Sequence, residues 1–383
     1  AIAEQLGKDT AVLNYVLHYK NHQKRYGVFL LKQDVLEFYD LGDAADISEQ
    51  AAGFTDAVTD IQKDPTEACN DLNDTLLGPL SKALGDIEEL YVIRETGLES
   101  IPFHFLTGKD TMELISVRAL LMTDRNRMDM SHVTIFSDPK YSFEDHEIRP
   151  DPYPALTGSH IEAEMIENVY GASVCRHSGR DASVSELRQA AEESDAILHI
   201  SSHHIRTYEK NSGYMAASRL IMAGANNLEM TEEETKVFGK DGTVSAADLN
   251  TQQMKPKLVI LAACQSANGI TVEGGGGFGL ARAFYNHGCR VVSALYPVGD
   301  FASAVFFYFF YQDLKQSEDP DSAIRFARDR IQKTDKDKVE DILLRSISKN
   351  SSAFRRLRRE LRHLGKYPFR HPFFWSGFIL GGV

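Results

Sequence analysis

Three short apolar runs constrain this chain more than any other feature: residues 197–200, 258–263 and 291–295. None of them alternates apolar with polar residues. A strand with one face in water shows a polar residue at every second position, whereas a strand covered by helices on both faces stays apolar throughout. The runs therefore predict a mostly parallel sheet sandwiched between helices, an α/β fold. In such sheets functional groups collect at the carboxyl ends of the strands.

The rest of the chain fits around that sheet. Helical spacing of Ile2, Leu6, Leu13, Val16 and Leu17 predicts a helix over 1–22, and 26–40 reads as a β-hairpin. Helices follow at about 46–63 and 66–87, then a short strand at 91–93, a turn at Pro102 and a helix near 110–116. From about 131 strands alternate with helices. Strands are expected at 133–136, 172–175, 196–200, 258–262, 290–295 and 373–380. Helices are expected at 160–170, 184–192, 278–287, 300–315 and 320–333. Ser159 reads as the cap of the first of these, with Glu162 closing a capping box, and Ser183 as the cap of the second. With 383 residues the chain exceeds the usual single core, so two sub-domains are expected, meeting near residue 130.

Composition excludes several classes. A net charge of −13 argues against a general binder of nucleic acid or anionic membrane. Cys69, Cys175, Cys264 and Cys289 lie far apart without a CxxC pair, which is neither a zinc framework nor a disulfide scaffold. They read as free thiols in a reducing cytoplasm. No stretch is apolar enough to span a membrane, and the N-terminus lacks a signal-peptide pattern. The chain opens on Ala1, which suits a processed protein or a piece of a longer one.

Two strands end in reactive side chains. Ser201-Ser202-His203-His204 follows one, and Ala263-Cys264-Gln265-Ser266 the other. On adjacent parallel strands, imidazole and thiol would face each other at one edge. A thiol is a weak nucleophile at neutral pH until a base or positive field activates it. The imidazole supplies that base and later returns a proton to the leaving amine. Backbone N–H groups beside the two residues, at His204 and Gln265, can hold an oxyanion. The bland readings are a buried strand-end cysteine and a satisfied polar histidine. Zinc ligation by His199, His203 and His204 is disfavoured, because their i, i+4 spacing suits a metal on a helix and this segment reads as strand.

The residues from Leu258 to Ser266 resemble the cysteine motif of CHAT-domain proteases, a caspase-like family related to separase. The resemblance continues through Glu273-Gly274-Gly275-Gly276-Gly277-Phe278-Gly279-Leu280-Ala281-Arg282-Ala283-Phe284, through 288–300, and through His371-Pro372-Phe373-Phe374-Trp375-Ser376-Gly377-Phe378-Ile379-Leu380-Gly381. Residues 98–106 are similar to an earlier Leu-Pro-Phe block of the family. The resemblance implies a caspase-like three-layer sandwich over 131–383, with a basic helical insertion at about 335–370. A catalytically inactive pseudo-caspase-like sub-domain over 1–130 would precede it. It implies Cys264 as nucleophile, His203 as base and peptide-bond hydrolysis without a cofactor. The implied partners are a protein substrate and a sensor or helical-repeat region, with nucleic acid met only through such a partner. The chain departs from the family at His204, where glycine is usual and lets the backbone approach the oxyanion closely.

Three features keep two readings each. The glycine run 274–277 lacks the Lys-Ser/Thr of a phosphate loop and is a loop beside the site or a plain linker. The resemblance, through separase, implies that Asp300 is an acid facing the residue before the cut bond, which would favour Arg or Lys there; the residues themselves read equally as a helix N-cap. Arg355, Arg356, Arg358, Arg359, Arg362, Lys366 and Arg370 cover one face of a helix whose apolar stripe is Phe354, Leu357, Leu361 and Leu364. That face is solvated, or it docks an acidic partner or an RNA backbone. The rival to a protease is a catalytically silent scaffold of the same fold.

Overall fold

The computed structural model describes residues 6–33, 35–122, 129–206, 214–263, 266–267, 270–272 and 276–382. Its N-terminal part contains β1 (Thr10–Lys20), β2 (Gln23–Lys32), β3 (Val35–Asp43), α1 (Ala44–Thr59), α2 (Thr66–Leu76), β4 (Glu89–Ile93), α3 (Phe103–Thr107) and β5 (Asp110–Glu113). The middle contains β6 (Val133–Pro139), α4 (Thr157–Tyr170), β7 (Val174–Gly179), α5 (Val184–Glu193), β8 (Ile197–Ser201), β9 (His204–Arg206), β10 (Ser218–Ile221), α6 (Glu232–Phe238), β11 (Thr243–Ser245) and α7 (Ala246–Asn250). The remainder comprises β12 (Leu258–Leu261), β13 (Ile270–Val272), β14 (Gly276–Phe278), α8 (Leu280–Tyr285), β15 (Arg290–Ala294), α9 (Asp300–Ser317), α10 (Pro320–Lys333), α11 (Lys336–Leu343), α12 (Ser352–Arg362) and β16 (Phe378–Gly381).

One sheet runs through the described residues in the order β3-β2-β1-β4-β5-β16-β15-β12-β8-β6-β7. Strands β15, β12, β8, β6 and β7 are mutually parallel, so their carboxyl ends share one edge. The three apolar runs are β8, β12 and β15, every residue of β8 and β12 being buried. Alternate residues serve opposite layers. Ile197, Leu258, Ile260 and Val292 pack under α4 and α9, and Leu198, Ile200, Val259, Leu261 and Val291 pack under α5, α7 and α8. The sandwich is therefore three-layered, as the caspase-like resemblance implies. Helix α9 is apolar on all sides because it lies beneath α10 and α4, burying Phe306, Phe307, Phe310 and Tyr311. The N-terminal strands extend the same sheet, since β5 pairs with β16 through Glu113 and Gly381.

The structure corrects several local expectations. Residues 10–20 form a strand, not a helix: Ala11, Leu13 and Tyr15 pack on one face and Val12 on the other. An apolar segment of that kind satisfies both periods, and the turn decides. Asn21 and His22 take φ of 52° and 64°, the left-handed pair of a two-residue hairpin, and join Lys20 to Gln23. Residues 110–113 are likewise strand β5, paired in parallel with β4. The closing strand spans only 378–381, following a 3-10 turn over Pro372–Phe374. Ser183 does cap α5, accepting from Glu186 N at 3.2 Å. Ser159 does not cap α4: the N-cap position is Leu156, and Ser159 lies inside the first turn.

Candidate active site

Strands β8 and β12 are adjacent and parallel. Val259 lies opposite Leu198, Ile260 opposite His199 and Leu261 opposite Ile200, an offset of 61 residues at each pair. Cys264 stands the same 61 residues beyond His203 in the sequence. Cys264 and Gln265 themselves lie outside the described residues, as do Gly274 and Gly275 of the glycine run. The described residues on either side are anchored. Ala262 N donates to Ile200 O (2.9 Å), Ser266 Oγ to Leu261 O (2.9 Å), and Ala294 N to Ser266 Oγ (3.1 Å).

His203 stands two residues past the end of β8 and is half-buried. Its Nε2 donates to the carbonyl of Pro154 at 2.8 Å. A carbonyl only accepts, so Nε2 carries the proton and in the neutral ring Nδ1 keeps its lone pair. The imidazole lies beside the rings of Tyr141 and Tyr153, with centroids 5.4 and 6.1 Å away. Burial pushes the Tyr141 phenol up to about 12, against hydrogen bonds from Ser202 and the His203 backbone that favour its ionised form. Tyr141 thus stays a neutral hydroxyl beside the imidazole at physiological pH.

The residue before Pro154, Tyr153, is held in place by buried Asn226. Asn226 Oδ1 accepts from Tyr153 N at 2.7 Å, and its Nδ2 donates to Tyr153 O and to Ser142 Oγ, both at 3.0 Å. Sequence reasoning missed Pro154 and Asn226. A backbone carbonyl has no residue-type signature, and Asn226 reads as an ordinary turn residue.

The other two histidines take separate environments. His199 is 0% exposed, and its Nε2 donates to Glu162 Oε1 at 2.8 Å while Nδ1 bonds the Tyr311 hydroxyl at 2.9 Å. Glu162, 3% exposed, therefore braces strand β8 from α4 instead of closing a capping box. Ser159 does related work: its hydroxyl donates to Ser201 O (2.9 Å) and accepts from Asp138 N (2.8 Å). His204 opens β9, which leaves the main sheet to pair with β10, and its Nε2 meets Ser218 Oγ at 2.8 Å. Among the described residues no group of three or more His, Cys, Asp or Glu is placed to hold a metal ion.

A cavity of about 70 Å³ opens beside His203. It lies where β6 and β8 send their connections to opposite layers, the switch point at which α/β sheets bind ligands. His203, Ala263 and Asp300 all line it, together with Gly158, Glu162 and Val298. Asp300 is not the N-cap of α9. Gly299 holds that position, and Asp300 is the first helical residue, where a carboxylate suits the helix dipole. Its carboxylate Oδ2 pairs with Arg356 Nη2 of α12 at 3.0 Å. Gly158 allows this approach, since a Cβ there would stand 2.3 Å from Asp300 Cβ. The apolar stripe Phe354, Leu357 and Leu361 is buried against α9 and its neighbours, which fixes α12 over the site.

The chain belongs to the CHAT domain family, whose model matches residues 66–383. No curated protein matches it in sequence. Solved structures of similar shape include a complex of the pro- and mature domains of Porphyromonas gingivalis RgpB. Its TM-score is 0.39 at 7% identity, with 88% of this chain and 75% of that chain covered. Another is the Arg-specific cysteine proteinase gingipain R, with a TM-score of 0.33 at 7% identity, covering 78% of this chain and 72% of that one. No helix among the described residues is long and apolar enough to cross a membrane.

Proposed function

We propose that this chain is a cysteine endopeptidase that cuts a specific protein substrate through Cys264 and His203, under control of an attached or partner sensor region. The observation that carries the reading is the orientation of His203. Its Nε2–H is held by Pro154 O, and it stands beyond β8 in the register that relates β8 to β12. Nδ1 is then the atom that takes the Cys264 proton. The thiolate attacks the scissile carbonyl, and backbone N–H groups flanking the two residues stabilise the oxyanion. The imidazolium returns the proton to the departing amine, leaving a thioester that water hydrolyses with His203 again as base. No step calls for a cofactor.

The test is cleavage of a peptide library by the unsubstituted chain, Cys264→Ala and His203→Ala, with a thiol-reactive substrate mimic as the second readout. Each substitution is expected to lower kcat/KM by at least about 10³-fold, the order of loss seen when a member of a catalytic unit is removed. Cleavage that survives Cys264→Ala would refute the assignment. A chain that neither labels at Cys264 nor cuts, even with candidate sensor partners, is a scaffold.

A further inference from the structure

We propose that Arg356 is a specificity-determining residue. By holding Asp300 it offsets the charge of that carboxylate in the pocket beside His203, which therefore favours an uncharged side chain before the cut bond over Arg or Lys. The inference rests on the endopeptidase reading for its meaning, but its physical content is the charge state of a pocket.

Two carboxylates line that pocket, Glu162 and Asp300, and both are already committed within the chain. Glu162 is buried and accepts from His199. Asp300 faces Arg356, whose guanidinium also bonds Glu360 one helical turn away at 2.8 Å and lies over the Phe301 ring at 5.5 Å. Three contacts and a helix anchored by its buried stripe thus hold the Arg356 charge in place. A cationic substrate side chain would have to displace an intramolecular partner that has lost its freedom already. An uncharged side chain meets Ala262, Ala263, Ala294, Val298 and Phe378 in the same cavity at no such cost.

The pair is only partly buried, Asp300 being 32% and Arg356 41% exposed on the side chain. Its strength therefore belongs with that of surface pairs, and its removal is expected to change cation affinity by about fivefold. Such a pair sets a preference without locking the pocket.

The test measures binding apart from catalysis. N-acetyl-arginine amide and N-acetyl-valine amide are titrated by NMR into the unsubstituted chain, Arg356→Ala, Arg356→Lys and the double variant Arg356→Ala/Asp300→Asn. All four are first checked for an unchanged melting temperature, with Glu360→Ala as a milder loosening of Arg356 should Arg356→Ala misfold. Arg356→Ala is expected to bind the arginine amide about fivefold more tightly, with valine amide affinity within about twofold. Arg356→Lys should behave as the parent does, and the double variant should lose the gain. Cleavage of peptides differing only before the cut bond should shift toward Arg in Arg356→Ala by the same factor. Equal arginine-amide affinity in the parent and Arg356→Ala overturns the inference, as does a gain that survives Asp300→Asn. The expected affinities in a chain that never cuts or labels at Cys264 would support the offset pocket charge while removing the endopeptidase reading.

Discussion

Replacing His199 by alanine should be among the most damaging single changes in this protein, although His199 does no chemistry in the proposed reaction. The imidazole is wholly buried between Glu162 and Tyr311. His199→Ala leaves a carboxylate oxygen and a phenol hydroxyl without partners where water scarcely reaches. An orphaned buried group costs about 1–3 kcal/mol, more when charged, so the two together come to about 4 kcal/mol. With an unfolding entropy of about 2 cal/mol/K per residue, that loss lowers the melting temperature on the order of 5 °C. His199→Gln can keep one of the two hydrogen bonds and should lose about half as much. Differential scanning calorimetry reads the shifts, and kcat/KM at 20 °C separates structure from chemistry. His199→Gln should retain activity within about threefold, since Pro154 and not His199 orients His203. A melting temperature for His199→Ala within about 1 °C of the parent would refute the reasoning.

Two further outcomes follow from buried and exposed titratable groups. His104 is buried, and that burial, reinforced by the charges of Arg328 and Arg94, holds its pKa well below the usual histidine value. The unfolded chain binds a proton near pH 6.5 that the folded chain does not, so stability is complete above about pH 7 and falls as pH drops. The loss from this residue reaches about 1.4 kcal/mol by pH 5.5. Urea midpoints at pH 7.5, 6.5 and 5.5 should therefore fall less steeply in His104→Phe, and parallel pH dependences would remove His104 as the cause. Among the thiols, Cys175 is exposed with Sγ 3.6 Å from His177 Nε2, whereas burial pushes the Cys289 thiol up to about 12. In Cys264→Ala, iodoacetamide should modify Cys175 first and Cys289 only on unfolding. Peptide mass mapping reads the order, and early reaction at Cys289 would contradict its burial.

The sheet at the centre of the fold was legible in the sequence because burial on both faces leaves a local mark. Strands β8, β12 and β15 could be read as continuous apolar runs, and the residues following two of them were already a histidine and a cysteine. The helix α12 stripe and the Ser183 cap were legible for the same reason, since helical period and capping are properties of neighbouring residues. Strand β1 was not, because an apolar stretch of about ten residues fits either period. Only pairing with β2 and β4 decides between them.

What the sequence by itself determined is the class of fold, the buried strands at its centre, and the family. What only the tertiary structure decided is which partner each polar group meets. Glu162 and Ser159 looked like helix caps and instead brace β8 across the sheet. Asp300 looked like a cap or a free acid and is held by an arginine 56 positions away. The carbonyl that turns His203 belongs to a proline 49 positions before it. Periodicity reports how neighbours along the chain share a face, but a hydrogen bond or ion pair between distant elements is fixed by how those elements pack. No local pattern carries that information.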